Sequence, residues 1–185
     1  MKANKCAEYI ISVIECEGDE ELKKVNIHNA LTACMKCFKT KPLEQILNIR
    51  ELGKYLQQPL RNGDSFLHLA AKQYKKNYRI REQDKLITLL AEFGVPINLK
   101  NANGNSPLHP VKNVRAAKAL FSKGASLKIR NALNQTAAQY SNGMVEHGYE
   151  EEDQSMVNEW FKCQALKETE DKEITTIDVD SDIDQ

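Results

Sequence analysis

The stretch Gly63-Asp64-Ser65-Phe66-Leu67-His68-Leu69-Ala70-Ala71 returns in shortened form as Gly104-Asn105-Ser106-Pro107-Leu108-His109. A third copy begins at Asn134-Gln135-Thr136-Ala137-Ala138-Gln139. Internal similarity at intervals of a few tens of residues is typical of proteins in which one structural unit stacks on the next. These three copies therefore predict a repeat protein.

Each copy carries the signals of a helix start, and the first two are followed by an apolar helix that stops at a glycine. Ser65, Ser106 and Thr136 stand where an N-cap hydroxyl accepts a free backbone N–H, and Pro107 occupies the first helical position. The second helices have Leu86, Leu89, Leu90 and Phe93 on one face, and they end at Gly94 and Gly124, where a left-handed residue terminates a helix. One such unit cannot bury its apolar face alone, so the units must stack.

These motifs resemble the ankyrin repeat, whose pattern is Gly-x-Thr-Pro-Leu-His-x-Ala-Ala followed by Ile-Val-x-Leu-Leu-Leu-x-x-Gly-Ala, over roughly residues 60–140. The resemblance implies an all-α solenoid of helix-turn-helix repeats that binds another protein. His68 and Gly94 are 26 residues apart, which indicates an insertion of about eight residues within Gln73–Gln83. The next unit is shorter by about three residues, and Pro110 is predicted to disturb its first helix. The third copy lacks the proline and the histidine, and we predict its second helix at Gln154–Leu166.

Upstream, two segments predict a further helical pair at Asn26–Phe38 and Pro42–Tyr55, with Leu31, Cys34, Met35 and Phe38 facing Leu43, Ile46 and Leu47. We interpret the pair as a degenerate repeat and Ala3–Cys16 as a capping helix, because terminal units of a stack are atypical. The predicted organisation is a cap (1–25), a degenerate repeat (26–59), ankyrin repeats (60–166, divided as 60–98, 99–130 and 131–166) and a disordered acidic tail (167–185).

Charge is distributed unevenly along a chain whose formal net charge is zero. From Glu146 to Gln185 there are 3 Lys/Arg and 14 Asp/Glu, whereas the preceding residues carry 23 Lys/Arg and 12 Asp/Glu. A cationic body therefore precedes an anionic segment, and the two can attract each other or different partners. Five scattered cysteines do not form a disulfide pattern and favour a reducing compartment. The apolar run Tyr9–Ile14 is too short and too acid-flanked for a signal peptide or a membrane span.

The residues that invite a chemical interpretation have structural alternatives. His68 and His109 each follow an N-cap hydroxyl by three residues, so the rings can bond across the turn instead of acting as bases. Cys34 and Cys37 form a CxxC pair without a second ligand pair, and they lie in a helical apolar pattern, which favours buried cysteines over zinc or redox chemistry. No nucleophile–base pair or phosphate loop is recognisable. We expect no catalytic site, metal or cofactor.

Basic and amide residues are the candidates for partner binding. The ankyrin resemblance implies a concave face made of turn tips and inner helices, and an acidic surface on the partner follows as a hypothesis. Lys75-Lys76-Asn77-Tyr78-Arg79-Ile80-Arg81 lies in the insertion and can be a solvated loop, a docking element or a nucleic-acid contact. We predict a monomer that binds a protein rather than nucleic acid or a membrane. The candidate residues are Arg61, Asn62, Lys72, Lys75, Lys76, Tyr78, Arg79, Arg81, Lys100, Asn101, Asn103, Lys112, Lys128, Arg130 and Asn131.

The tail allows three interpretations. It can be solubilising, or its Ile-x-Val segment at Ile177–Val179 can add a strand to a partner such as a ubiquitin-like modifier. It also resembles the C-terminal export signals of Legionella-type bacterial effectors, with an acidic block (Glu168, Glu170, Asp171, Glu173) and a lone apolar residue, Ile183, near the end. This last resemblance implies an effector secreted into the host cytoplasm, where it engages a host protein. The alternative is an adaptor in the cytoplasm of its own cell.

Overall fold

A computed structural model describes residues 2–16, 18–36, 44, 46–72, 80–145 and 155–167. The other residues, which include the acidic tail, lie outside this description. Within these ranges the chain is helical, and its β pairing is the single bridge between Arg130 and Thr136. The helices are α1 (Lys2–Glu15), α2 (Glu20–Lys36), α3 (Gly53–Leu56, after a 3-10 turn at Arg50–Leu52), α4 (Phe66–Lys72), α5 (Ile80–Glu92), α6 (Val114–Ser122), α7 (Ala137–Val145) and α8 (155–167).

The helices form two layers, as stacked helix-turn-helix units require. In the inner layer α2 contacts α4, and the ring of His109, from the short segment 107–110, meets Tyr140 of α7 at 5.9 Å between centroids. In the outer layer α5 contacts α6, and Phe121 of α6 meets Trp160 of α8 at 5.7 Å. One continuous apolar core lies between the layers, from Ile10 in α1 to Phe161 in α8. The predicted all-α repeat architecture is confirmed.

Three turns precede the inner segments and repeat one hydrogen-bond pattern; we call them the first turn (60–64), the second turn (101–105) and the third turn (131–135). In each, the first residue donates its N–H to the carbonyl of the last, at 2.8 to 2.9 Å. Gly63 and Gly104 occupy the fourth position with φ of 77° and 72°. An added Cβ would lie 2.7 Å from the Ala102 nitrogen at the first site and 2.6 Å from the Ala132 nitrogen at the second. The turns are therefore stacked backbone against backbone.

Asn134 takes the glycine position in the third turn, with φ of 60°. Asparagine adopts this left-handed conformation more readily than other residues with a Cβ. Within the described residues no fourth turn packs on the third, whereas Gly63 and Gly104 each face the backbone of the next turn. In the described part of the chain, glycine is thus found at this position where another turn packs on it, and asparagine where none does.

The second unit confirms the predicted disturbance by Pro110. Residues 107–110 form turns rather than a helix, and only the bond from His109 N–H to the Ser106 carbonyl remains, at 3.0 Å. Proline donates no N–H and its ring clashes with the preceding helical turn. Leu108 and Val111 are nevertheless buried, so the shortened segment still supplies its part of the core.

Part of the segment predicted to contain the insertion, Gln73–Gln83, is helical. Residues 73–79 lie outside the described ranges, but α5 begins at Ile80, so Ile80–Gln83 are helical. Gln83 is buried and donates its amide to the Ala70 carbonyl at 2.7 Å. It accepts from the amide of Asn113 at 2.7 Å, and Asn113 caps α6 by accepting from Ala116 N–H. A buried amide pair thus joins the end of α4, the start of α5 and the start of α6.

The upstream predictions are confirmed for α1 and corrected for the following pair. The helix expected at Asn26–Phe38 begins six residues earlier, at Glu20, because Asp19 accepts from Glu21 N–H and caps it. The helix expected at Pro42–Tyr55 is broken at Ile49, which is extended, and resumes as a 3-10 turn and α3. The break lets Ile46 and Leu47 on one side, and Leu52, Tyr55 and Leu56 on the other, reach the same core.

The predicted helix Gln154–Leu166 is confirmed as α8, and Leu86, Leu89, Leu90 and Phe93 all pack on the core. Phe38, Leu43, Cys37 and the side chain of Cys34 lie outside the described residues, as does His147. The domain boundaries stay a prediction. None of the described helices is long and apolar enough to cross a bilayer.

Candidate protein-binding surface

A groove of about 780 Å³ runs between α2 and the first turn, on the inner side of the stack. Its apolar lining includes Leu22, which is 60% exposed, and the half-buried Val25, Leu60 and Leu69. The charged and polar lining residues are Asp19, Glu21, Lys24, His28, Asn29, Thr32, Arg61 and Asn62. An apolar floor with a polar rim is the usual composition of a protein-binding site.

The groove exists because α2 has two different faces. Ile27, Leu31 and Met35 follow helical spacing and are buried in the core. Leu22, Val25, Asn29 and Thr32 follow the same spacing on another face, which is turned toward the first turn. A helix with apolar residues on both faces contributes one of them to the core and leaves the other for a partner.

His28 anchors α2 to the rest of the stack. It is 6% exposed, its Nε2 lies 2.8 Å from the Tyr55 carbonyl, and its ring meets Phe66 edge-on at 5.3 Å. A carbonyl only accepts, so Nε2 carries the proton. Burial lowers the pKa of His28 and outweighs the opposing effect of the bond to Tyr55, so the ring is neutral at pH 7.

His68 and His109 have the structural role expected from their spacing. Ser65 N–H donates to Nδ1 of His68 at 3.0 Å, so Nδ1 is unprotonated, and Nε2 donates to the Asn105 carbonyl at 2.7 Å. His109 bonds likewise to Ser106 and to the Gln135 carbonyl. Burial lowers the pKa of both rings. Each neutral ring therefore closes its own cap and joins one turn to the next.

In the third copy Gln139 replaces the histidine. Its side-chain oxygen accepts from Thr136 N–H at 2.9 Å, and Thr136 Oγ1 accepts from Gln139 N–H at 3.4 Å. This is a capping box, which satisfies the helix end without reaching another unit. In the described stack, a histidine is found where another turn follows, because its ring also bonds to a carbonyl of that turn.

The asparagines nominated for partner binding hold the turns together. Asn62 donates to Asp64 at 2.8 Å, and Asn101 donates to the other Asp64 oxygen at 2.7 Å. Asn131 donates to the side chain of Asn105 at 3.0 Å. Asn103 is exposed, and its carbonyl accepts from Ala132 N–H. Asn101 and Asn131 are thus committed to the stack, whereas Asn103 presents its side chain at the tip of the second turn.

Lys72 is also committed internally. Its Nζ lies 2.6 Å from Asp64 Oδ2, and the Asp64 side chain is only 2% exposed. Burial raises the pKa of Asp64, but the hydrogen bonds from Lys72 and Asn101 outweigh it, so the pKa is lowered and the carboxylate is charged. Asp64 is the last residue of the first turn, and Asn105 is the last residue of the second. The buried carboxylate of Asp64 needs a cation beside it, whereas the neutral amide of Asn105 does not.

Of the other nominated cations that the structure describes, Arg61, Lys100, Lys128 and Arg130 lie in or beside the turns. In the segments that lead into the second and third turns, exposed and half-buried residues alternate. The exposed ones include Lys100, Lys128 and Arg130, and the half-buried ones include Leu99, Leu127 and Ile129. We call Lys100, Lys128 and Arg130 the cation face. Arg61 is exposed at the tip of the first turn, and Lys112 is half-buried. Lys75, Lys76, Tyr78, Arg79 and the side chain of Arg81 lie outside the described residues.

The sequence reasoning missed the α2 side of the groove. It placed the start of the helix at Asn26, so Leu22 and Val25 both fell outside it. The missed signal is Asp19 followed by Glu20 and Glu21, since a capping aspartate with acids in the first turn marks a helix start. Among the described residues no three His, Cys, Asp or Glu side chains are grouped as a metal site.

Comparisons with known proteins agree with the repeat architecture. No protein-family model matches the chain. A Rickettsia felis protein provisionally named as an ankyrin repeat protein is 33% identical over 86 residues, which cover 42% of this chain and 36% of that protein. The chain therefore spans about a third of the length of this relative.

Proposed function

We propose that this chain is a protein-binding module whose partner sits on the inner side of the stack, with an apolar anchor in the groove. The observation that supports it most is Leu22. Leu22 is 60% exposed beside Val25, Leu60 and Leu69, and a partner that covers it gains free energy, because burying a leucine fully is worth about 1.5 to 3 kcal/mol.

Arg61 and the cation face extend this surface along the turns. Charges at the rim of an interface mainly set the association rate and the choice of partner. We propose that the partner presents an acidic surface next to its apolar anchor. Because exposed charges are screened over about 8 Å at physiological ionic strength, their contribution falls with added salt.

Capture from a eukaryotic lysate tests the groove. We compare the wild-type chain with Leu22→Glu and with Lys85→Glu, which changes an exposed residue of the outer helix α5. Both variants leave the core untouched, so both should fold. Proteins captured by the wild type and by Lys85→Glu but lost with Leu22→Glu support the groove. Equal capture by all three chains contradicts it.

Charge reversal of Lys100, Lys128 and Arg130 together tests the electrostatic part. Binding of a captured partner at low salt should weaken about tenfold, chiefly through a slower association. Unchanged affinity at low salt removes the acidic-partner hypothesis but leaves the groove hypothesis standing.

We further propose that the chain is a secreted effector that engages a host protein in the host cytoplasm. This proposal is supported by the acidic block at Glu168–Glu173 and by Ile183 near the C-terminal end. A translocation reporter fused upstream of the chain should enter host cells only when residues 167–185 are present. Equal delivery without them favours an adaptor in the cell of origin.

A further inference from the structure

The acidic C-terminal segment has a counterpart of opposite charge inside the described stack. Residues 93–145 contain seven Lys/Arg and no Asp/Glu, whereas residues 168–185 contain eight Asp/Glu and one lysine. Like charges repel when they are concentrated in one region, and this repulsion is relieved by an oppositely charged segment. The second and third turns therefore form a region that attracts an anionic chain.

The stacking of the turns gathers part of this charge on one surface. Lys100 and Arg130 each precede the first residue of a turn, and the two turns are in direct backbone contact through the bond from Ala132 N–H to the Asn103 carbonyl at 3.0 Å. Lys128 lies on the same side as Arg130 because exposure alternates along the segment that leads into the third turn. The Arg130 guanidinium donates to the Asn134 carbonyl and to the Gln139 amide oxygen. Both acceptors are neutral, so these two bonds do not offset its positive charge.

The acidic segment is within reach of this surface. It starts directly after α8, which packs on α6 in the same part of the stack. Its 18 residues span up to about 60 Å when extended, whereas neighbouring helices of a stack are only about 10 Å apart. A tethered segment also has an effective concentration of about a millimolar, so a weak attraction is sufficient to keep it in place.

We propose that residues 168–185 lie against the cation face of their own chain when no partner is bound. If the proposed function is correct, the segment competes with the acidic surface of the partner for Lys100, Lys128 and Arg130. Both the occupancy and the competition should weaken with added salt.

Carbodiimide cross-linking of the full chain, followed by peptide mass spectrometry, tests the occupancy without any partner. The reagent joins lysine amines to carboxylates that are in direct contact. Lys100 and Lys128 should link to carboxylates between Glu168 and Asp184, while the exposed lysines of the outer helices, Lys85 and Lys118, should link to them at least about threefold less. Raising the salt from 0.05 to 0.5 M should reduce the Lys100 and Lys128 links at least about threefold. Mixing ¹⁴N- and ¹⁵N-labelled chains should show links within one chain.

Two outcomes overturn the proposal. The first is that tail carboxylates link to Lys85 and Lys118 as often as to Lys100 and Lys128. The second is that Lys100 and Lys128 link mainly to a second chain or to the acids between Glu146 and Asp153. Because no partner is present, a failure of the capture experiment leaves this result unaffected, and the two proposals fail independently.

Discussion

The first and second units use the same turn but differ in the lengths of the segments that follow it. The first has a helix at Phe66–Lys72 and a long outer helix after an insertion, whereas the second has only turns at 107–110 and a nine-residue outer helix. Both nevertheless keep the glycine with positive φ, the N-cap serine, the histidine three residues later and its bond to the next turn. The comparison teaches that the stacked turns define the unit, while the helices between them vary in length.

Replacing the turn glycine should have the largest effect. In Gly104→Ala the new Cβ meets backbone 2.6 Å away, in addition to the left-handed φ, and we expect a loss of about 3 to 4 kcal/mol in the free energy of unfolding. Gly124→Ala is the matched control, since its φ is also positive but nothing lies within 4 Å; it should lose about 1 to 2 kcal/mol. Urea unfolding followed by Trp160 fluorescence measures both, and equal losses would contradict stacking as the cause.

Removing the imidazole that joins the turns should have the next largest effect. His68→Ala leaves a buried cavity and takes a donor from the Asn105 carbonyl, so we expect about 3 kcal/mol. Gln139→Ala removes an exposed cap in the third copy and the long bond from Arg130, and should lose about 1 kcal/mol. The same urea titrations compare them, and the reverse order would show that the link between turns is unimportant.

Breaking the amide pair between the first and second units should have the third largest effect on stability. Gln83→Ala leaves the Ala70 carbonyl and the Asn113 amide without their bonds to Gln83, which costs about 2 kcal/mol. Asn113→Ser keeps a hydroxyl to cap α6 but is too short to reach Gln83. In a double-mutant cycle the two changes should couple by about 1 kcal/mol. Strict additivity would show that the pair does not join the units.

Mild acid should weaken the stack gradually. Burial lowers the pKa of His28, His68 and His109 in the folded chain. At a pH between the lowered folded pKa and the unfolded pKa of about 6.5, the unfolded state therefore binds more protons than the folded state. Stability is therefore full above pH 6.5 and falls as the pH drops below it, by at most about 1.4 kcal/mol per pH unit for each histidine. His109→Gln, which copies the cap of the third turn, should reduce this slope. The stability of both chains is measured by thermal unfolding between about pH 7 and 5.5. If the substitution leaves the dependence of stability on pH unchanged, His109 does not contribute to the acid effect.

The ion pair of the first turn should have the smallest effect. Lys72→Met leaves Asp64 charged but still bonded to Asn62 and Asn101, and we expect a loss of about 1 kcal/mol. In an Asp64→Asn background, which copies Asn105 of the second turn, the same change should have almost no effect. Denaturation of the four chains measures the difference, and a loss that persists in the Asn background would assign the effect to packing of the lysine stem.

Local signals in the sequence were enough for the turns, caps and helix stops. Gly94 and Gly124 have positive φ, as predicted for glycines that end a helix. Ser65 caps α4, and Pro110 removes the helix it was expected to disturb. These features depend on contacts within three or four residues, so a short window of sequence contains their cause.

The sequence by itself thus determined what each turn and cap is, because their hydrogen bonds and steric limits lie within single short segments. Only the tertiary structure decided which side chains remain for a partner. The side chains of Asn101 and Asn131 bond to the preceding turn, to residues 37 and 26 positions away. Leu22 and Val25 of α2 face the first turn across a groove. Such assignments depend on which surfaces of distant segments are covered when the units stack, and no local pattern contains that information.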